Sequence, residues 1–243
     1  MIKDKTLYTE NSIESLDPLT FTRLKPGVYC GDTTDSTQLL VEIFSNAVDE
    51  FRLGHGNKIE VEINGSKCRV RDYGQGFIPN SFREDGKTIF EAAFSVLNTS
   101  GKYREDGTYE GTSLGSFGIG SKITTFLSHK LQAETYRDGK LERIYFEEGV
   151  FQNRHTSDTK QPNGTFVRWQ PSEEFFTHPE VNIQEVKSLF KTIACLCPGL
   201  TIRLDDNGEK FTYFSEKGLN DLVDDAVANK ELINYDNRFN LNF

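Results

Sequence analysis

The chain predicts an α+β fold, with helices and strands mixed but not in strict βαβ alternation. Three observations lead there. First, residues 37–52, TQLLVEIFSNAVDEFR, set Leu39, Leu40, Ile43, Phe44, Ala47, Val48 and Phe51 on one face of an amphipathic helix. Second, Ile59, Val61 and Ile63 alternate, Asn64-Gly65 turns the chain, and Cys68 and Val70 alternate again, as in a β-hairpin. Third, two more such pairs follow: 131–136 with 141–146 around Arg137-Asp138-Gly139-Lys140, and 201–204 with 211–214 around Asp206-Asn207-Gly208.

Taken in order, residues 1–22 are polar enough to form an arm, with a short helix over Ser12–Leu19 ended by Pro18. Leu24 to Asp32, LKPGVYCGD, reads as a turn and a short extended piece. Asp35 or Ser36 can cap the helix over 37–52. Residues 89–97 read as a helix with Phe90, Ala93, Phe94 and Leu97 on one face. Residues 98–120 are long, polar and Gly-rich, which in a compact domain marks a functional or disordered loop. A helix over 119–127 leaves that loop. Thr165–Trp169 is a strand stopped by Pro171, Ile183–Cys195 a helix, and Leu219–Ala228 a last helix before an Asn-rich end.

The 243 residues are 36% hydrophobic and 27% charged, enough for a sizeable core in one or two domains. The formal net charge of -9 argues against nucleic acid as a direct ligand, because phosphate binding needs clustered Lys and Arg. Cysteines at 30, 68, 195 and 197 lack zinc-ligand spacing, so they read as buried thiols of a reducing, cytoplasmic protein. The N-terminus has no apolar signal segment, and no stretch is long enough to span a membrane.

Four clusters carry chemistry. They are Glu42 with Asn46, Asp72-x-Gly74-x-Gly76, Gly115-x-x-Gly118-x-Gly120, and Gly164-Thr165. Each alone is weak, and their order and spacing together are strong. Glu42, Asn46 and Glu50 stack in one row at intervals of four. A carboxylate at a hairpin end can accept a hydrogen bond from an adenine amino group, where guanine would present an oxygen. Gly74 and Gly76 let backbone approach a base. A Gly-rich loop ending at a helix start offers N–H groups to phosphates. Asn46 offers a neutral oxygen to Mg²⁺, and Glu42, one turn earlier, can deprotonate a water attacking the γ-phosphate.

On these motifs the chain resembles the ATPase domain of gyrase B and topoisomerase IV B subunits, within the GHKL superfamily of Bergerat-fold ATPases. The segments that carry the resemblance include EIFSNAVDE (42–50), VRDYGQGFIP (70–79), NTSGKY (98–103), GSFGIGSKITTFLS (115–128), YRDGKLER (136–143) and NGTFVRWQPS (163–172). It spans roughly residues 24–222. The resemblance implies a mixed, mostly antiparallel sheet with helices packed on one face, and cofactors ATP and Mg²⁺. It implies a GHKL domain over 23–222, with 223–243 a helix end and linker toward a transducer domain outside the chain. Glu42 is then the general base, Asn46 the Mg²⁺ ligand and Asp72 the adenine reader, helped by Gly76 and Thr165. Lys102 and Tyr109 fall in the ATP lid. Gly115, Gly118, Ile119 and Gly120 form the phosphate turn, Arg137 stands at the pocket mouth, and Phe77, Ile78 and Pro79 form its apolar wall. Lys122 reaches phosphate from the helix start or is a surface residue, and His55 and His129 lie at the surface.

The implied partners are a second copy on nucleotide binding, with the A-type subunit and DNA engaged through other domains. The implied activity is that of an ATP-operated clamp driving strand passage, slow in the isolated segment without the transducer Lys. Several positions depart from the family. Gln38 stands for a common His, Ser45 for an Asp, Gln75 for an Arg that partners Glu50, Glu110 for a Lys, and 112–117 for a Gly-Gly-Leu-His run with one residue added. The alternatives are a nucleotide-dependent interaction module that does not hydrolyse, or another GHKL branch such as a mismatch-repair clamp or chaperone.

Overall fold

A computed structural model of the protein describes residues 16–97, 118–221 and 223. Its helices are α1 (Pro18–Leu24), α2 (Pro26–Cys30), α3 (Thr37–Arg52), α4 (Ile89–Ser95), α5 (Gly120–Phe126) and α6 (Ile183–Leu196). Its strands are β1 (Lys58–Asn64), β2 (Lys67–Asp72), β3 (Ser128–Arg137), β4 (Lys140–Glu147), β5 (Val150–Asp158), β6 (Gly164–Pro171), β7 (Thr201–Asp206) and β8 (Glu209–Tyr213).

The strands form one sheet in the order β5-β4-β3-β6-β2-β1-β7-β8. Only β1 and β7 pair in parallel among the described strands. This is the mixed, mostly antiparallel α+β sheet expected. Alternation along each strand sends Val61, Val70, Val167 and Ala133 to one face, where Leu39, Phe44 and Phe190 of the helices meet them in a single core. Phe44 and Phe190 stack with centroids 4.4 Å apart, so α3 and α6 lock to each other as well as to the sheet.

Three local expectations are corrected. Pro18 starts a helix, α1, where it was expected to end one, because the first helical position needs no N–H, and Asp17 caps it by accepting from Thr20 N at 3.1 Å; residues 12–15 lie outside the described residues. Pro26 likewise opens α2 where an extended piece was expected, in five residues too few to show a period. β5 was not anticipated. As the edge strand it is exposed along most of its length, so its sequence, VFQNRHTSD, carries no apolar alternation. The start of α3 uses both candidate residues differently: Asp35 accepts from Thr37 N at 2.8 Å, while the Ser36 hydroxyl donates to Pro179 O at 2.7 Å. The last helix is described only at its first turn, around 219–221 and 223.

All four cysteines are free and buried, with Cys68 pushed up to about 12 and Cys30 to about 11 by burial. Among the described residues no helix is long and apolar enough to cross a membrane.

Candidate functional site

The site forms where the C-terminal end of β2, the row of polar residues on α3, the start of α5 and the start of β6 converge on the helical side of the sheet. Asp72 ends β2 with its side chain on the core face and is 7% exposed. Its Oδ1 accepts from Gly74 N at 2.9 Å and from Thr165 N at 3.0 Å. Burial still outweighs these two donors and raises the carboxyl from its ordinary 3.8 to about 6. Oδ2 has no hydrogen-bond donor among the described residues, so one acceptor remains for a ligand.

Glu42 lies on α3 facing the start of α5. Gln38, one turn earlier, donates from Nε2 to Glu42 Oε1 at 2.6 Å. Burial raises the Glu42 carboxyl above the usual range, and the Gln38 hydrogen bond works against that rise. Gly120 is what lets the carboxylate come so close to α5: a Cβ there would fall within contact distance of Glu42 Oε2 and 2.9 Å from Glu42 Cβ. Asn46, one turn on, is exposed and has no hydrogen-bond partner among the described residues.

The glycines of the DxGxG turn serve the protein's own packing. A Cβ on Gly74 would lie 2.6 Å from Glu50 Oε2, and one on Gly76 would lie 2.6 Å from Tyr136 O. Gly76 also holds φ +69°, open to glycine at little cost. Both glycines thus have a packing reason within the chain as well as the close approach to a base expected of them. Glu50, without an Arg partner, accepts instead from Gln75 N at 3.1 Å and lies 3.4 Å from His55 Nδ1.

Beyond Gly76 the chain is pinned to the sheet. Phe77 N donates to Thr135 Oγ1 at 2.7 Å, and Arg137 Nη1 donates to Gly76 O at 3.1 Å. Phe77 packs on Phe90 with centroids 5.1 Å apart, while Ile78 is exposed and Pro79 half-buried. Glu142, buried on β4, accepts from Asn80 N at 2.8 Å and from Thr88 Oγ1 at 2.5 Å. Sequence reasoning missed Thr135 and Glu142, since nothing in YRDGKLER distinguishes an inward Glu from an outward one.

Gly118 holds φ +63° and Ile119 caps α5. Lys122 is not a surface residue: it is 3% exposed, its Nζ donates to Gly118 O at 2.5 Å, and burial lowers it to about 8. His129 lies against Glu148 and is half-buried. Lys102, Tyr109 and Gly115 lie outside the described residues.

The structure thus brings Glu42, Asn46, Asp72, Gly74, Gly76, Gly120, Arg137 and Thr165 to one end of the sheet.

No protein-family model matches the chain. Curated proteins do. The chain is 32% identical to the type 2 topoisomerase B subunit of Aquifex aeolicus over 92% of its own length and 29% of that protein's. It is 32% identical to the DNA topoisomerase 4 B subunit of Mycoplasma capricolum over 95% of the chain and 37% of the relative. It is also 32% identical to the DNA gyrase B subunit of Thermotoga maritima over 89% of the chain and 35% of the relative. The chain therefore spans about a third of the length of these relatives. In fold it is similar to the 43K ATPase domain of Thermus thermophilus gyrase B, solved with an aminocoumarin, at a TM-score of 0.74 and 23% identity, over 89% of this chain and 57% of that one.

Proposed function

From its homology with the B subunits of type II topoisomerases and its gyrase B ATPase fold, we propose that this chain is an ATP-binding and ATP-hydrolysing domain of a type II DNA topoisomerase. In that reading its closure on nucleotide joins two copies of the whole protein into a clamp, and an A-type subunit and DNA are engaged through other parts. The cytoplasm is the compartment where such an enzyme meets its DNA. The observation that carries the reading is the Asp72 carboxylate, buried, held through Oδ1 by two backbone N–H groups and open at Oδ2. A buried acceptor with a free lone pair selects an amino group over a carbonyl, hence adenine over guanine.

Asn46, exposed and without a hydrogen-bond partner among the described residues, would hold Mg²⁺ through its neutral oxygen, an ion that keeps several of its waters. When bound it supplies charge neutralisation of the triphosphate. Glu42 does the proton chemistry. Its raised carboxyl, held through Oε1 by Gln38, takes a proton from a water through Oε2. The hydroxide oxygen forms a bond to the γ-phosphorus as the bond to the β–γ bridging oxygen breaks, and ADP leaves with that electron pair. The phosphate turn takes Gly115, Gly118, Ile119 and Gly120, whose backbone N–H groups would meet the phosphates, and Lys102 and Tyr109 belong to the lid. Ile78 and Pro79 face the base, and Arg137 fixes the turn that carries them.

The test is calorimetric titration of a non-hydrolysable ATP analogue with Mg²⁺ into the wild-type chain and Asp72→Asn, with a GTP analogue as control. Adenine-selective binding weakened at least tenfold in the variant, about 1.4 kcal/mol, is expected. Binding of both analogues alike would refute the adenine assignment. Equal ATP turnover by wild type and Glu42→Ala would leave a module that binds without hydrolysing.

A further inference from the structure

Arg71 stands one residue before Asp72 on β2, so the alternation of the strand turns its side chain to the face of the sheet away from the nucleotide site. There its guanidinium lies between two rings, 4.9 Å from the Tyr73 centroid and 4.4 Å from that of Tyr136. Both rings are tied in place. Tyr73 Oη donates to Glu60 Oε2 at 2.5 Å. Tyr136 Oη donates to Glu134, a buried carboxylate that also accepts from Arg143 Nε at 2.7 Å. Arg71 Nη1 is buried and has no hydrogen-bond partner among the described residues, so at that end the ring faces take the place of water. A planar guanidinium stacks in this way, and the compact ammonium of a lysine would not.

The other nitrogen holds the backbone. Arg71 Nη2 donates to Pro162 O at 2.7 Å, a charge-assisted bond to the segment that leads into β6. That segment has a second tether, Asn163 Oδ1, which accepts from Asp138 N at 3.0 Å. Gly164 then opens β6 so close to β2 that a Cβ on it would lie 2.4 Å from Asp72 O and 2.9 Å from Asp72 Oδ1. Thr165 N, next along, donates to the same Oδ1 at 3.0 Å. With no slack at Gly164, a displacement of Pro162 passes to the donor that fixes Asp72.

Charge acts along the same line. Burial raises the Asp72 carboxyl to about 6; the N–H groups of Gly74 and Thr165 and then the Arg71 charge oppose the rise, and Glu50 of α3 adds to it. The remaining charges around the rings are paired among themselves, Lys58 with Glu60 at 3.0 Å and Arg143 with Glu134 at 2.7 Å.

We propose that Arg71 is a positioning residue of the nucleotide site: from the opposite face of the sheet it holds the backbone that presents Thr165 N to Asp72, and it places a positive charge behind that carboxylate. The inference rests on the nucleotide reading and adds to it a residue that touches no part of the ligand. Because Oδ1 is occupied by two N–H groups, a proton on Asp72 goes to Oδ2 and removes the acceptor for the adenine amino group. Binding therefore weakens as pH falls through the carboxyl's value. Without the Arg71 charge that value rises further, so the acid limb moves to higher pH.

The test is calorimetric titration of non-hydrolysable ATP and GTP analogues with Mg²⁺, at a series of pH values, into wild type, Arg71→Gln and Arg71→Lys, with urea unfolding to establish that each folds. The analogues' own titration is common to all three proteins and drops out of the comparison. Wild type should lose affinity for the ATP analogue as pH falls through about 6. In Arg71→Gln the acid limb should move up by about half a unit, and affinity at pH 8 should fall about fivefold. Arg71→Lys keeps the charge and should keep the wild-type limb, while its preference for the ATP over the GTP analogue narrows about threefold because Thr165 N is less well placed. A residue that merely supported the fold would move neither the limb nor the preference. An unmoved limb in Arg71→Gln, or an unchanged preference in Arg71→Lys, would overturn the proposal while leaving the nucleotide site standing. Should Arg71→Gln not fold, the preference of Arg71→Lys decides. A folded wild type that binds neither analogue would overturn the nucleotide reading and this inference with it.

Discussion

Replacing Asp72 by Asn is expected to make the protein more stable and less able to bind adenine. The structure sets the magnitude. The folded carboxyl titrates at about 6 against an ordinary 3.8, a difference of about 2 units. At 1.36 kcal/mol per unit this is about 3 kcal/mol by which ionised Asp72 is disfavoured in the fold. Because the folded value is raised, the native state binds the extra proton between pH 4 and 6, so stability falls as pH climbs through that window and stays lower above it. Asn keeps an Oδ1 that can accept from Gly74 N and Thr165 N while shedding the charge. At pH 8 the variant should therefore gain 1 to about 3 kcal/mol, some 2–12 °C in Tm for a domain of this size. Below pH 4 the gain should vanish, since both side chains are then neutral. Urea unfolding of both proteins at pH 8, 6 and 4 measures it. A variant less stable than wild type at pH 8, or a gain that does not change with pH, would refute the reasoning.

Other perturbations read different parts of the site. Gln38→Ala removes the hydrogen bond that holds the Glu42 carboxyl down, so the acid limb of the ATPase pH profile should move to higher pH, with turnover recovering under alkaline conditions. A limb that stays put would mean that Gln38 does not tune Glu42. Gly120→Ala sets a Cβ against Glu42 Oε2 and should lower steady-state turnover at least tenfold, and unchanged turnover would show that the carboxylate can move aside. Glu142→Ala strips the acceptor from Asn80 N and Thr88 Oγ1 and should cost about 3 kcal/mol in urea unfolding. Limited proteolysis should then cut first between residues 78 and 88, and cleavage elsewhere would mean that Glu142 is not the anchor of that segment.

Much of this protein was legible in order along the chain. The helix over 37–52 is visible because a long amphipathic segment repeats its signal several times, and its bounds agree with α3. The β1–β2 hairpin is visible because Asn64-Gly65 specifies a turn and the flanking residues alternate. Asp72, Glu42 and Asn46 could be proposed as site residues only from the order and spacing of four motifs taken together, since a helical row or a hairpin end alone is weak. What stayed hidden depends on neighbours distant in sequence. The direction in which Glu142 points, the burial of Lys122 and the role of Thr135 follow from which strand or loop packs beside them. β5 has no pattern of its own because, at the sheet edge, neither face must be apolar. Net charge is the plainest case. The sequence supplies -9 as a sum, but only the pairing register collects Arg71, Arg168 and their neighbours on one face. A sum over residues carries no positions, and electrostatic attraction depends on positions.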